Sequence, residues 1–194
     1  MIKDHPRAFA IARFLKKSRT KVGLLMAAWC LAEGVYSRER PYPLHDLNIY
    51  VGIGLILIAG GVGFRIAALG CIRKKEVLAT DGVYSLCRHP LYLGSILLAY
   101  GFCVLLADFD NYLWVTAYFA VYYPVTILWE EERLAERYPD AYRQYRATTP
   151  RLLPFGAFRK GVFAWKTAWA QGASHLLIVV AIILAGVEVM ARTL

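Results

Sequence analysis

Two polar clusters interrupt a largely apolar chain: Arg88, His89 and Pro90 in the stretch SLCRHPLYLG (85–94), and Glu130, Glu131, Glu132 and Arg133 in EEER (130–133). A guanidinium, an imidazole and two or three carboxylates can bind a ligand that carries both signs of charge, and Glu or His can also take a proton from a nucleophile. Singly, each has an ordinary explanation. Arg88 flanks a hydrophobic run as cytoplasmic-side charges do, His89 is a surface histidine, and EEER is the solvated face of a helix leaving a membrane. Chemistry requires that the chain bring them together.

The elements between them do so. With 58% hydrophobic and 19% charged residues over 194 positions, the chain is more apolar than soluble domains, which run at about 45–50% apolar and 25% charged. The sequence therefore reads as an all-α integral membrane protein. A crossing needs roughly 17–25 mostly apolar residues, and five such runs are predicted at 22–36, 49–70, 91–107, 112–129 and 174–191; the first is short and holds Glu33. Pro90 suits the first turn of the third run, where helix N–H groups lack partners anyway. The DFDN turn (108–111) is short enough to force an antiparallel hairpin, which returns EEER to the face that holds Arg88 and His89. At a helix C-terminus three carboxylates oppose the macrodipole, so an external cation is expected there, with Arg133 or Arg137 as the internal alternative.

Of 23 Lys and Arg, 19 fall in segments 1–21, 71–90 and 130–173, three lie in the alternate segments, and Arg65 sits inside a span. The positive-inside rule then places the N-terminus and the polar clusters on the cytoplasmic side and the C-terminus outside. The net charge of +9 follows from topology and anionic lipid headgroups and requires no nucleic acid. No small-x-small cleavage site follows Leu31, so the first run is read as retained. Cys30, Cys71, Cys87 and Cys103 form no C-x-x-C pair and are expected as free thiols; the four scattered histidines give no metal site. Residues 155–170, with Phe158, Val162, Trp165 and Trp169 at helical spacing among basic residues, predict a helix lying in the headgroup layer, as does the start HPRAFAIARFLKKSRTK. Arg65 is expected to snorkel to the interface, or else to meet a substrate carboxylate or phosphate. Gly52, Gly54, Gly60, Gly61 and Gly63 read as helix packing.

GVYSLCRHPLYLG (82–94) followed by EEERLAERYPDAYRQYRATTPRLLP (130–154) resembles the integral-membrane methyltransferase superfamily of isoprenylcysteine carboxyl methyltransferases and phospholipid N-methyltransferases. The shared pattern is G-x-Y, R-H-P-x-Y-x-G, a hairpin, E-E-x-x-L, Y-x-x-Y and a closing R-x-x-P, over about residues 76–154. One departure is Glu76, where prenylcysteine enzymes often carry histidine.

The resemblance implies S-adenosylmethionine as cofactor. It implies a pocket formed by Arg88, His89, Tyr92 and Gly94, with the backbone of Leu78 and Ala79 near the adenine and Tyr84 or Tyr92 packing on adenine or sulfonium. Glu130 and Glu131 would bind the cofactor's amino group or order the pocket, and either, or His89, could serve as base for a lipid amine. Arg151 is placed on the acceptor side, and Tyr138, Tyr142 and Tyr145 form the apolar face of a helix closing the pocket. The expectation is a single membrane domain (1–194): N-terminal spans (1–75), a cofactor-binding core (76–154), and an interfacial helix with the last span (155–194). Its reaction is methyl transfer to a lipid or lipid-linked acceptor, either a phospholipid amine or an isoprenylcysteine-type carboxylate. The alternative is a non-catalytic scaffold or lipid-binding module with the same fold; the residues set no oligomeric state.

Overall fold

The structure, a computed structural model, describes residues 6–38, 40–46, 48–72 and 77–194, with side chains from Arg13 onward except Lys16. Glu76 lies outside the described residues, as do 1–5 of the basic N-terminal stretch. Among the described residues the fold is all-helical: α1 (Pro6–Ser37), α2 (Ile49–Cys71), α3 (Val83–Leu86), α4 (Pro90–Leu106), α5 (Phe109–Arg137), α6 (Pro139–Thr148), α7 (Trp165–Ala170) and α8 (Ala173–Thr193). Local chemistry sets several boundaries. The Asn48 side chain caps α2 by accepting from Val51 N, and Asp108 caps α5 by accepting from Asp110 N, each satisfying an orphan donor. Pro90 and Pro139 open α4 and α6, and Ala107 closes α4 in the left-handed conformation.

The five long helices alternate in direction. Gly23 of α1 meets Tyr118 of α5, Gly34 of α1 faces Met190 of α8, and Gly54 and Gly61 of α2 lie against Gly101 and Gly94 of α4. Leu69, Leu91 and Ala173 cluster at the end that holds His89, whereas Cys30, Val51, Leu105 and Val187 belong to a larger core toward the other end. Hence α1, α4 and α8 run one way and α2 and α5 the other. Two of them, α2 and α8, are long and apolar enough to cross a membrane, while α4 is apolar but only 17 residues long. The predicted runs at 49–70, 91–107 and 174–191 match α2, α4 and α8 to within two residues.

Four expectations need correction. The first run is not a short separate span preceded by an interfacial helix: α1 is one helix of 32 residues, because nothing between Pro6 and Ser37 breaks it. Residues 155–170 do not form one amphipathic helix. Only 165–170 are helical, since 156–164 lie along the chain around Gly82: Gly82 N donates to Arg159 O at 2.8 Å, Gly156 N to Leu86 O at 2.9 Å, and Ala164 N to Gly70 O at 3.1 Å. A Cβ on Gly156 would lie 2.1 Å from the Ser85 carbonyl oxygen, so tertiary contact overrides the helical period there. Of the glycines in α2, Gly54 and Gly61 make close helix contact, whereas Gly52 and Gly63 have nothing within 4 Å of a Cβ position. Finally, α5 runs on to Arg137, leaving Glu130 to Glu132 inside the helix, more than a turn before its end, where the macrodipole argument for an external cation loses its footing.

Candidate active site

The α4–α5 hairpin does what its short turn predicted: the start of α4 and the Glu130–Glu131 pair of α5 are in contact. Arg88 and His89 are not at the surface, however. Their side chains are 8% and 4% exposed, because the segment after α6 covers them: Arg88 N donates to Pro150 O and His89 N to Arg151 O.

The two carboxylates have different surroundings. Glu131 is buried and shared by three donors: Arg88 Nη2 lies 2.8 Å and His89 Nε2 3.3 Å from Oε1, and Arg151 Nη2 lies 2.9 Å from Oε2. Arg88 spends its remaining donor on the carbonyls of Thr149 (2.7 Å) and Arg146 (3.1 Å). Two guanidiniums on one carboxylate are satisfied only by its ionised form, and a desolvated charge is tolerable only when so paired. Glu131 is thus the knot that ties α5, the start of α4 and the 149–151 segment together. The partners shown for Glu131 are Arg88, His89 and Arg151, where the sequence had offered Arg133 or Arg137 for the carboxylate cluster. Glu130, by contrast, is 31% exposed. It accepts from the Tyr92 hydroxyl at 2.7 Å, with Arg19 Nη1 at 3.4 Å and His89 Nδ1 at 4.0 Å. The Arg19 guanidinium also donates to the Tyr92 hydroxyl and lies 5.3 Å from the centre of that ring.

Two cavities meet at this point. The smaller, about 310 Å³, is bounded by Leu78, Ala79, Tyr84, Arg88, His89, Tyr92, Glu130, Leu134, Arg137, Tyr138 and Tyr145. The larger, about 470 Å³, lies among α1, α2, α4, α5 and α8 and is mostly apolar, with Arg19, Thr20, Arg65, Tyr92, Ser95, Asn111, Tyr118, Tyr123 and Glu130 as its polar members. Leu91, Tyr92 and Glu130 line both. On the α6 side of the smaller cleft, Tyr145 lines it, Tyr142 and Tyr145 are buried, and the Tyr145 hydroxyl donates to Tyr84 O at 2.6 Å. Burial pushes the Tyr142 hydroxyl up to about 12 and raises those of Tyr84 and Tyr145 as well.

The structure therefore brings together Leu78, Ala79, Tyr84, Arg88, His89, Tyr92 and Glu130. Gly94 is elsewhere: a Cβ there would lie 2.8 Å from Gly61 O and 2.6 Å from Arg65 Cγ, so it serves the α2–α4 crossing rather than the cleft. Glu131 and Arg151 are behind the wall and line neither cavity. Arg65 does not snorkel; its guanidinium donates to Ser95 Oγ inside the bundle. Sequence reasoning missed Arg19, read as one more positive-inside charge, along with Tyr118 and Tyr123. Their partners are 73 to 111 residues distant for Arg19, and no local pattern marks such a pairing.

Residues 49–141 match the phospholipid methyltransferase family model. The cobalt-zinc-cadmium resistance protein CzcN of Cupriavidus metallidurans is 31% identical over 176 residues, 84% of this chain and 76% of that protein. The chain belongs to the integral-membrane methyltransferase family. Also similar to this family member are the protein-S-isoprenylcysteine O-methyltransferase of Schizosaccharomyces pombe, 31% identical over 50% of this chain and 42% of that one, and the nickel-cobalt-cadmium resistance protein NccN of Alcaligenes xylosoxydans xylosoxydans, 29% identical over 51% and 50%. No solved structure matches the methyltransferase-family chain. Among its described residues, no group of three or more His, Cys, Asp or Glu could hold a metal ion, and all four cysteines are free thiols.

Proposed function

We propose that the chain transfers methyl from S-adenosylmethionine to a lipid or lipid-linked acceptor at the cytoplasmic face of a membrane. One observation carries the reading: a small cleft that sets charged and aromatic side chains among apolar ones and a larger, mostly apolar cavity share a wall made by Leu91, Tyr92 and Glu130. Two substrates that never mix in water, one polar and one lipidic, need such an arrangement to meet.

The donor set of the smaller cleft fits the cofactor. Leu78, Ala79 and Leu134 offer apolar surface and Tyr84, Tyr138 and Tyr145 flat faces for an adenine, with Glu130 for a cationic group and Arg137 for a carboxylate. Bound there, S-adenosylmethionine would supply an electrophilic methyl on a sulfonium, with the neutral thioether as the leaving group that keeps the electron pair of the broken S–C bond. The protein's part is positioning and water exclusion, which supply much of the acceleration in such a displacement. Glu131, with Arg88 and Arg151, orders the wall; Glu130, held by Tyr92 and Arg19, faces the reaction. An ammonium acceptor would have to lose a proton first, and Glu130 or His89 is placed to take it. A carboxylate acceptor needs no base.

The alternating directions of α1, α2, α4, α5 and α8 support five crossings. The distribution of Lys and Arg supports a cytoplasmic N-terminus and an outside C-terminus. The test is incubation of the purified protein with methyl-labelled S-adenosylmethionine and membrane lipids, followed by organic extraction and alkali. Label on an alkali-stable headgroup means N-methylation; label released as methanol means a carboxyl ester. No label, together with no binding of S-adenosylhomocysteine by folded protein, would leave a non-catalytic lipid-binding module.

A further inference from the structure

We infer that the larger cavity is built for an amphiphile with an anionic head, and that Arg65 anchors that head. The proposed function is needed only to call this amphiphile the methyl acceptor; the anion site stands on geometry. Arg65 is held in place: its stem lies against Gly94 and its Nη1 donates to Ser95 Oγ. Its Nε is buried without a hydrogen-bond partner, and among the described ion pairs it has no carboxylate. A cation inside a spanning helix is costly, and such residues face a partner or a ligand.

The cavity's charge balance points the same way. Among the described residues, the charged side chains of its lining are Arg19, Arg65 and Glu130. Arg19 and Glu130 offset one another at 3.4 Å, which leaves Arg65 without a counter-charge among the described lining residues. Beyond it the walls are apolar, with Met26, Phe102, Phe119 and Ile183 among them, and the volume of about 470 Å³ falls in the range of about 300–1,000 Å³ that small-molecule sites occupy. A guanidinium accepts either a carboxylate or a phosphate. Ser95 follows Tyr92 by three residues, so the two share a face of α4 about 4.5 Å apart along its axis. A head held at Arg65 is therefore one turn from the wall shared with the donor cleft: a carboxylate, or an atom a few bonds from a phosphate, reaches it.

The test uses the full chain in neutral maltoside micelles and three probes of one tail length: hexadecanoate, hexadecyl phosphate and hexadecanol. At least one anionic probe is expected to bind about tenfold or more tighter than the alcohol, as a hydrogen bond to a charged group implies. Arg65→Gln should abolish that preference and Arg65→Lys retain some of it. Preference for the carboxylate assigns an acid-headed acceptor, preference for the phosphate a phospholipid-like one. Equal binding of alcohol and anions overturns the inference, as does an unchanged preference in folded Arg65→Gln; the wild-type series decides even if that variant does not fold. Anion preference without methyl transfer would sink the proposed function and leave this site standing.

Discussion

Tyr92 donates its hydroxyl to Glu130 across 2.7 Å, and the two side chains belong to both cavities at once. The ring is set by packing, edge-on to Tyr123 with centroids 4.7 Å apart, so the hydroxyl can be removed without moving the wall.

Tyr92→Phe is accordingly expected to keep the melting temperature and lower the methylation rate by about 10-fold or more, the scale of one hydrogen bond to a charged group. Rate and melting curves on the same preparation check this; a rate within twofold of wild type contradicts the role given to the pair.

Neighbouring carboxylates should separate structure from function. Glu131→Ala leaves Arg88, whose side chain is 8% exposed, without its counter-charge, a change that costs about 3–5 kcal/mol for buried pairs. Unfolding in detergent should show the loss. Glu130→Gln should barely shift the melting temperature yet weaken S-adenosylhomocysteine binding, measured by calorimetry, by about 10-fold.

The α2–α4 crossing gives an internal control. A Cβ on Gly61 would lie 2.6 Å from Gly94 O, so Gly61→Ala must push the α2 and α4 backbones away from each other and is expected to destabilise by about 1–3 kcal/mol, as overpacking does. Gly52→Ala and Gly63→Ala, with open space around them, should be neutral or stabilising, since alanine is the better helix former by about 1 kcal/mol. Thermal unfolding of the three variants side by side is the measurement.

Alkali should loosen the seating of α6. Burial holds the Tyr142 hydroxyl at about 12 in the folded protein against 10.0 for a free tyrosine, so the folded state keeps a proton that the unfolded chain releases. That stability is fully present below pH 10 and is lost as pH rises toward 12. Tyr84 and Tyr145 shift in the same direction. Tyr142→Phe should therefore make the fall in melting temperature over this window shallower; an identical slope would show that Tyr142 does not contribute.

What could be read from sequence was what local rules govern. The apolar runs gave α2, α4 and α8 nearly to the residue, and the DFDN turn with Pro90 gave the hairpin that carries Glu130 and Glu131 to His89. What could not be read was set by distant partners. Glu130 and Glu131 are adjacent and identical in type, yet one is tied by Arg88 and Arg151 and the other faces the cavities; only the fold distinguishes them. The helical spacing of Phe158, Val162, Trp165 and Trp169 was real as a pattern, but backbone pairing of 156–164 with the chain around Gly82 and Gly70 took precedence. Arg19 and Arg65 looked like one flanking charge and one snorkelling charge because their neighbours in space are far along the chain.

At two levels, Gly54 with Gly101 and Gly61 with Gly94, α2 and α4 touch main chain to main chain. Nothing compressible separates them there, so this pair acts as a spine, and the room in the larger cavity changes through the positions of α1, α5 and α8 or through side chains such as Phe102, not through the α2–α4 distance. On the proposed function, tail selectivity would be retuned through residues such as Met26 and Phe119 while the smaller cleft, seated at the end of the spine, keeps its shape. On the same reading, such a division of labour would let one scaffold exchange its lipid partner without relearning how to hold its methyl source.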